Sequence, residues 1–312
     1  MKKYVIISLM LGPALLVIIG LAFFLVRNVG HPSRTLQSGK LQVVASFYPL
    51  YFFSREIGGD KADVTNIVPA GAEPHDYEPT PQDMAKMESC KLIILNGGGL
   101  EVWGDNIRKN INAKNTSIVV AGEGLTTQQV TEDEKTETDP HVWLAPPLAE
   151  RMVERIAQAF EQADPANKNY YQSNANSLKI KLSDLDEEYR QGLSACKNKN
   201  IITSHAAFGY LATAYGLNQV PIAGLSPDAE PSPRQLADIA KFAKDNNVKY
   251  IFFESLVSPK LSQTIAAEVG AKTLVLDPIE GLSEEEMAQG KTYFSIMQDN
   301  LTNLRTALQC TK

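Results

Sequence analysis

The chain has 312 residues, 44% of them hydrophobic and 21% charged, with four His, three Cys and a formal net charge of −6. That composition excludes a disordered chain, a collagen-like repeat and a small disulfide-stapled scaffold. Residues 1–40 hold five of the 30 basic side chains and none of the 36 acidic ones, so the rest carries 25 against 36. An acidic body with no basic stripe excludes nucleic acid as a partner.

The N-terminus reads as an address. Tyr4 to Val26 is an uncharged apolar run, preceded by Lys2 and Lys3 and followed by Arg27. At ~1.5 Å per residue it is long enough for a ~30 Å hydrocarbon layer. No small-residue cleavage site follows it, which favours an uncleaved N-terminal transmembrane anchor over residues 1–27. A removed signal peptide is the alternative. The Lys pair before the run places the N-terminus in the cytoplasm and the body outside it, joined by a tether at 28–40. The expected localisation is therefore extracytoplasmic, in a periplasm or at a cell surface.

Along the body, short apolar strands alternate with helices in two series. The first has strands at 43–47, 63–68, 91–95 and 117–120, with helices near 48–58, 81–89 and 101–112. The second has strands at 201–204, 218–222, 249–253 and 272–276, with helices near 206–215, 233–246, 259–269 and 288–309. Short apolar strands between helices imply mostly parallel sheets covered on both faces. The predicted fold is α/β, with an N-terminal lobe at 41–164 and a C-terminal lobe at 196–312. Between them, 165–195 reads as one long linking helix starting at Asp164-Pro165. Its stripe, Tyr171, Ala175, Leu178, Leu182, Leu185, Tyr189 and Leu193, suits packing along both lobes, a coiled-coil pair being the alternative. The acidic stretch Ala121 to Asp139 reads as a mobile surface loop.

In open α/β sheets, ligands bind beyond the carboxyl ends of the strands. Three of the four His fall at such places: His75 in PHDYEPTP, His141 in DPHVW and His205 in TSHAAFGY. Asp277, in LDP, follows the last strand. Each lobe contributes two of these residues, so a cleft between the lobes can gather them. Three imidazoles and one carboxylate suit tetrahedral Zn²⁺, whereas Mn²⁺ prefers more oxygen. Glu254, ending KYIFFE, is placed behind the ligands, where it can orient an imidazole N–H.

With ASFYPLYFF, GAEPHDYEPTPQD, LNGGGLEVW, DPHVWL, SHAAFGYLATAYGL, SPDAEPSPRQL, FFES and LDP in succession, the chain resembles the substrate-binding proteins of bacterial zinc and manganese ABC importers. The stretches cover about residues 42–280. The resemblance implies two α/β lobes on a long backbone helix, with one metal ion in the interlobe cleft held by His75, His141, His205 and Asp277. It implies a protein that captures a divalent metal and delivers it to a membrane ABC permease; nothing in the chain suggests an obligate oligomer, so a monomer is expected. The third His leans toward zinc, since some manganese-selective relatives have Glu there. Two features depart from the pattern: the segment before DPH contains no His, and no lipid-bearing Cys follows the apolar run. Export permits one disulfide. Some zinc-branch relatives have one in the second lobe, which suggests Cys196 with Cys310 and leaves Cys90 a buried thiol.

Other functions fit less well. LNGGGLEVW lacks G-x-G-x-x-G and follows the third strand, so a dinucleotide site is not expected. A zinc-dependent hydrolase needs an open coordination position and a general base. Glu254 or Glu73 could be that base, but no H-E-x-x-H is present and four ligands leave no vacancy. A manganese-specific binding protein and an adhesin held together by metal complete the alternatives. No enzymatic activity is expected.

Overall fold

A computed structural model describes residues 39–111, 115–132 and 135–311. The expected anchor at 1–27 and nearly all of the tether lie outside these residues. Among the described residues no helix is long and apolar enough to cross a membrane.

Two four-stranded parallel sheets form the framework. The first contains β1 (Leu41–Ala45), β2 (Ala62–Asn66), β3 (Leu92–Leu95) and β4 (Ser117–Val120), in the order β2-β1-β3-β4. A two-stranded antiparallel hairpin follows, β5 (Gln129–Glu132) and β6 (Lys135–Thr138). The second sheet contains β7 (Asn200–Thr203), β8 (Asn218–Pro221), β9 (Tyr250–Phe253) and β10 (Lys272–Val275), in the order β10-β9-β7-β8. Central β3 is buried at all four residues of LIIL, as both-face coverage requires, whereas edge strands β4, β8 and β10 each begin on an exposed residue.

The helices are α1 (Tyr48–Gly58), α2 (Pro81–Ser89), α3 (Gly104–Asn110), α4 (Pro146–Ala163), α5 (Lys168–Leu193), α6 (Gly209–Tyr215), α7 (Pro233–Asp245), α8 (Lys260–Val269), α9 (Glu284–Ala288) and α10 (Tyr293–Ala307). Several begin on signals present in the sequence. Thr80 and Ser232 each close a capping box, with Asp83 and Gln235, and Pro occupies the first turn of both α2 and α7.

The 26-residue α5 buries all seven members of the stripe from Tyr171 to Leu193. It packs on α1 and α4 beside the first sheet and on α6 and α10 beside the second. The stripe is thus consumed within the chain, leaving no apolar seam for a coiled-coil pair. One hydrophobic core runs from Leu41 and Phe53 through Tyr171 and Leu185 to Tyr293 and Leu304. Smaller cores cover the outer faces, around Ile93 and Trp103 in one lobe and around Ile202 and Ile251 in the other.

Two segments differ from expectation. The acidic stretch is not a plain loop, because it contains the β5–β6 hairpin. Gln128 fastens the hairpin to the second lobe: its N–H donates to Tyr210 Oη at 2.9 Å and its side-chain amide to Thr213 at 2.9 Å. The 18-residue α4 was not among the predicted elements, although Ala149, Met152, Val153, Ile156, Ala159 and Phe160 have helical spacing and are buried. Cys196 and Cys310 are disulfide-bonded and Cys90 is a buried thiol.

Candidate metal centre

The strand order reverses between β1 and β3 in one sheet and between β7 and β9 in the other, and the candidate residues lie in segments beyond strand carboxyl ends, after β2, β6, β7, β9 and β10. His205 follows β7 and Glu254 follows β9. His75 lies in the irregular segment between β2 and α2, and His141 lies between β6 and a short 3-10 turn at Val142–Leu144.

The local fold brings the DPH segment close to β3. Asn96 donates from its side-chain amide to the Pro140 carbonyl oxygen at 2.9 Å. Gly98 has φ +68, and a Cβ there would stand 3.2 Å from Pro140 Cα and 2.8 Å from Thr126 Cγ2. The glycine run therefore serves close backbone packing beside the centre. Half-buried Glu101 closes the same loop, its carboxylate accepting from Asn96 N–H at 2.7 Å and Gly97 N–H at 2.9 Å.

The three histidines converge, but the carboxylate among them is Glu280, not Asp277. Ligand-type atoms of His75, His141, His205 and Glu280 all lie within 4.8 Å of one another. His75 Nε2 is 3.2 Å from both His141 Nε2 and Glu280 Oε1. His141 Nε2 is 2.9 Å from Glu280 Oε1 and 3.3 Å from His205 Nε2, and His205 Nε2 is 3.4 Å from Glu280 Oε1. A tetrahedron with bonds of ~2.0–2.1 Å has edges of ~3.3 Å, so these separations fit an ion of zinc's size. Glu280 Oε2, although buried, has no hydrogen-bond partner among the described residues.

Asp277 belongs to a different set of contacts. Its Oδ1 accepts the Ile279 N–H at 2.6 Å, and burial pushes its carboxyl up to about 7. The expectation that Asp277 completes the ligand set is therefore corrected: the chain turns after it and presents the acid three residues on. The sequence offered LDPIEG with two acids, and the strand-end rule favoured the nearer one.

Two buried carboxylates orient the imidazoles. Glu254 Oε1 is 2.7 Å from His205 Nδ1, the place expected for it, and Asp139 Oδ1 is 2.8 Å from His141 Nδ1. A proton held on each Nδ1 leaves the Nε2 lone pair facing inward. Asp139 also accepts the His141 backbone N–H at 2.9 Å. In the sequence it merged with the acidic run, where its role as a partner had no visible mark.

His141 and His205 are 0% exposed and Glu280 is 1% exposed, whereas the His75 side chain retains 10%. His75 also lines an outer cleft of about 550 Å³, together with Asp76, Gly98, Glu137 and Pro140. Burial lowers the His75 pKa. Burial would lower those of His141 and His205 too, but nearby carboxylates outweigh it, raising His141 and holding His205 well above its ordinary value. Burial would raise Glu280, yet the three imidazoles hold it well below the usual carboxylate range. Glu73 accepts from the His75 N–H at 3.3 Å and is raised to about 9 by burial and by the charge of Glu280.

Residues 43–307 match the family described as ZnuA, zinc-uptake complex component A, periplasmic. The chain belongs to this family. The high-affinity zinc uptake system protein ZnuA of Bacillus subtilis is 42% identical over 308 residues, covering 94% of this chain and 97% of that protein. The zinc-binding protein AdcA of Streptococcus pyogenes is 37% identical over 305 residues, and the match spans 59% of its length. Among solved structures, the Zn(II)-bound ZnuA-like domain of Streptococcus pneumoniae AdcA is 39% identical with a TM-score of 0.75, covering 86% of this chain and 99% of that one.

Proposed function

We propose that this chain is the extracytoplasmic zinc-binding component of an ABC importer, and that zinc is its cargo. The observation that carries the reading is the convergence of three imidazoles and one carboxylate oxygen within 4.8 Å of one another, five of their separations lying at 2.9 to 3.4 Å, in a site between the two sheets. Nitrogen-rich, four-donor geometry favours zinc over manganese. The assigned ligands are His75, His141, His205 and Glu280, with Asp139 and Glu254 orienting two of the imidazoles. All four donors are spent on the ion, which suits carriage rather than hydrolysis.

The ion arrives along the outer cleft, where His75 meets solvent, and is completed inside by the three deeper ligands. Delivery follows docking on a membrane permease, with lobes 41–164 and 196–312 held by the 165–195 link. The apolar run Tyr4–Val26 supports a tether to the membrane. Metal content of the native protein by mass spectrometry, followed by competition between Zn²⁺ and Mn²⁺, tests the reading. Zinc at one equivalent and displacement of manganese are expected, and preferential retention of manganese would overturn the assignment of cargo.

A further inference from the structure

Asp277 sits three residues before Glu280 and makes contacts of a different kind. Its Oδ1 accepts the Ile279 N–H at 2.6 Å. Asn300 clasps its backbone, accepting the Asp277 N–H at 2.8 Å and donating to the Asp277 carbonyl at 2.7 Å. Trp143 Nε1 donates to the Pro278 carbonyl at 2.7 Å. Ile279 then adopts φ +58 with its side chain fully buried. A β-branched residue avoids that left-handed region and remains there only where its surroundings over-determine it.

The direction of the chain at Ile279 fixes where the next side chain lies, and the next side chain is Glu280. We infer that Asp277 is a positioning residue: its carboxyl oxygen holds the turn at Ile279, so that Glu280 Oε1 is set against the three imidazole nitrogens. This rests on the metal-centre reading above and deepens it, because affinity then depends on an acid that does not touch the ion. The task needs an acceptor rather than a charge, in keeping with a carboxyl that burial lifts to about 7.

The test compares Asp277→Asn, Asp277→Glu, Asp277→Ala and Glu280→Ala. Zinc affinity is measured by competition with a chelating dye, and coordination by the visible spectrum of the Co²⁺-loaded proteins. An amide oxygen can accept the same N–H, so Asp277→Asn should stay close to wild type. Asp277→Glu keeps the charge but displaces the acceptor, and Asp277→Ala removes it. Each should weaken zinc on the order of 10–100-fold, as loss of a ligand-orienting partner does. The Co²⁺ spectrum of Asp277→Ala should move to that of Glu280→Ala. Adding Asp277→Ala to Glu280→Ala should cost nothing further, since the first acts through the second.

An unshifted Co²⁺ spectrum in Asp277→Ala, or full additivity with Glu280→Ala, would overturn the positioning role. Retention in Asp277→Glu with loss in Asp277→Asn would overturn it in favour of a charge or ligand role. If Asp277→Ala does not fold, the Asn and Glu variants decide alone. Unchanged zinc affinity in Glu280→Ala would instead remove Glu280 from the metal centre, a separate failure from loss in Glu280→Ala with none in Asp277→Ala and Asp277→Glu.

Discussion

Trp143 Nε1 donates a 2.7 Å hydrogen bond to the carbonyl oxygen of Pro278, joining a residue two positions after His141 to one two positions before Glu280. One bond thus ties the ligand-bearing segment of the first lobe to that of the second. The Trp143 carbonyl in turn accepts from Tyr293 Oη at 2.6 Å, and its ring meets Phe47 edge-on at 4.7 Å. Trp143→Phe keeps an aromatic ring but leaves the buried Pro278 carbonyl without its donor. The expected cost is about 1–3 kcal/mol, read as a lowered urea midpoint, with faster zinc release to a chelator. An unchanged midpoint and release rate would show that the bond joins nothing of consequence.

Acid should release zinc. The carboxylates raise the proton affinity of His141 and His205, whereas Glu280 is held ionised far below its ordinary range. As pH falls, protons therefore compete at imidazole nitrogen while the carboxylate remains available. Affinity should decline from pH 7.5 to 5.5 by roughly one to two factors of ten per pH unit, as one or two protons are displaced on binding. Chelator competition at the two pH values checks this, and a flat profile would exclude imidazole ligation.

His205→Ala should lose most zinc affinity while the apo fold survives, because it removes one of the four clustered donors while the β7 strand that leads into it stays buried. The variant leaves a buried carboxylate, Glu254, without the Nδ1 it bonds at 2.7 Å, so a stability loss of about 1–3 kcal/mol is expected alongside. Dye competition and thermal unfolding separate the two effects. Wild-type affinity would remove His205 from the centre.

Asp83 offers a pH effect remote from the metal. Burial would raise its pKa, but hydrogen bonds from Thr80, Lys86 and Tyr77 prevail and bring it from 3.8 to about 2. A lowered acid stabilises the folded chain above its unfolded value, so this contribution is complete above pH 3.8 and disappears as pH falls toward 2. It amounts to about 2 kcal/mol at neutral pH. Asp83→Asn should lower neutral stability by that order and flatten the acid limb of the stability curve. Parallel acid limbs in the two proteins would contradict the assignment.

The Cys196–Cys310 disulfide closes a sequence separation of 114 residues where α10 ends and before β7 begins, at the opposite end of that strand from His205. Cys196→Ser with Cys310→Ser should cost about 2–5 kcal/mol of stability while leaving zinc affinity within about twofold. A large loss of affinity would show that the bond reaches the metal centre.

Strands such as LIIL and YIFF were legible as compact apolar runs, and α5 was legible because the seven members of its stripe keep helical spacing from Tyr171 to Leu193. The hairpin was not, since Thr131, Lys135, Thr136 and Glu137 show no apolar alternation and its anchor, Tyr210, lies 82 residues from Gln128. The three histidines could be placed by counting strand ends. Glu280 could not, because its position depends on a left-handed turn at Ile279 that an Ile in the sequence gives no reason to expect.

A hinge needs a few residues able to absorb large backbone rotations, and the 26 continuous helical residues of α5 provide none along a beam of ~39 Å. Parting the sheets would also tear a core that the beam shares with both. The segment between β2 and α2 carries His75, which alone among the four clustered residues keeps a face toward water, and is therefore the part of the centre most open to rearrangement. On the proposed reading, that strip rather than a swing of the lobes is where the ion would be let go.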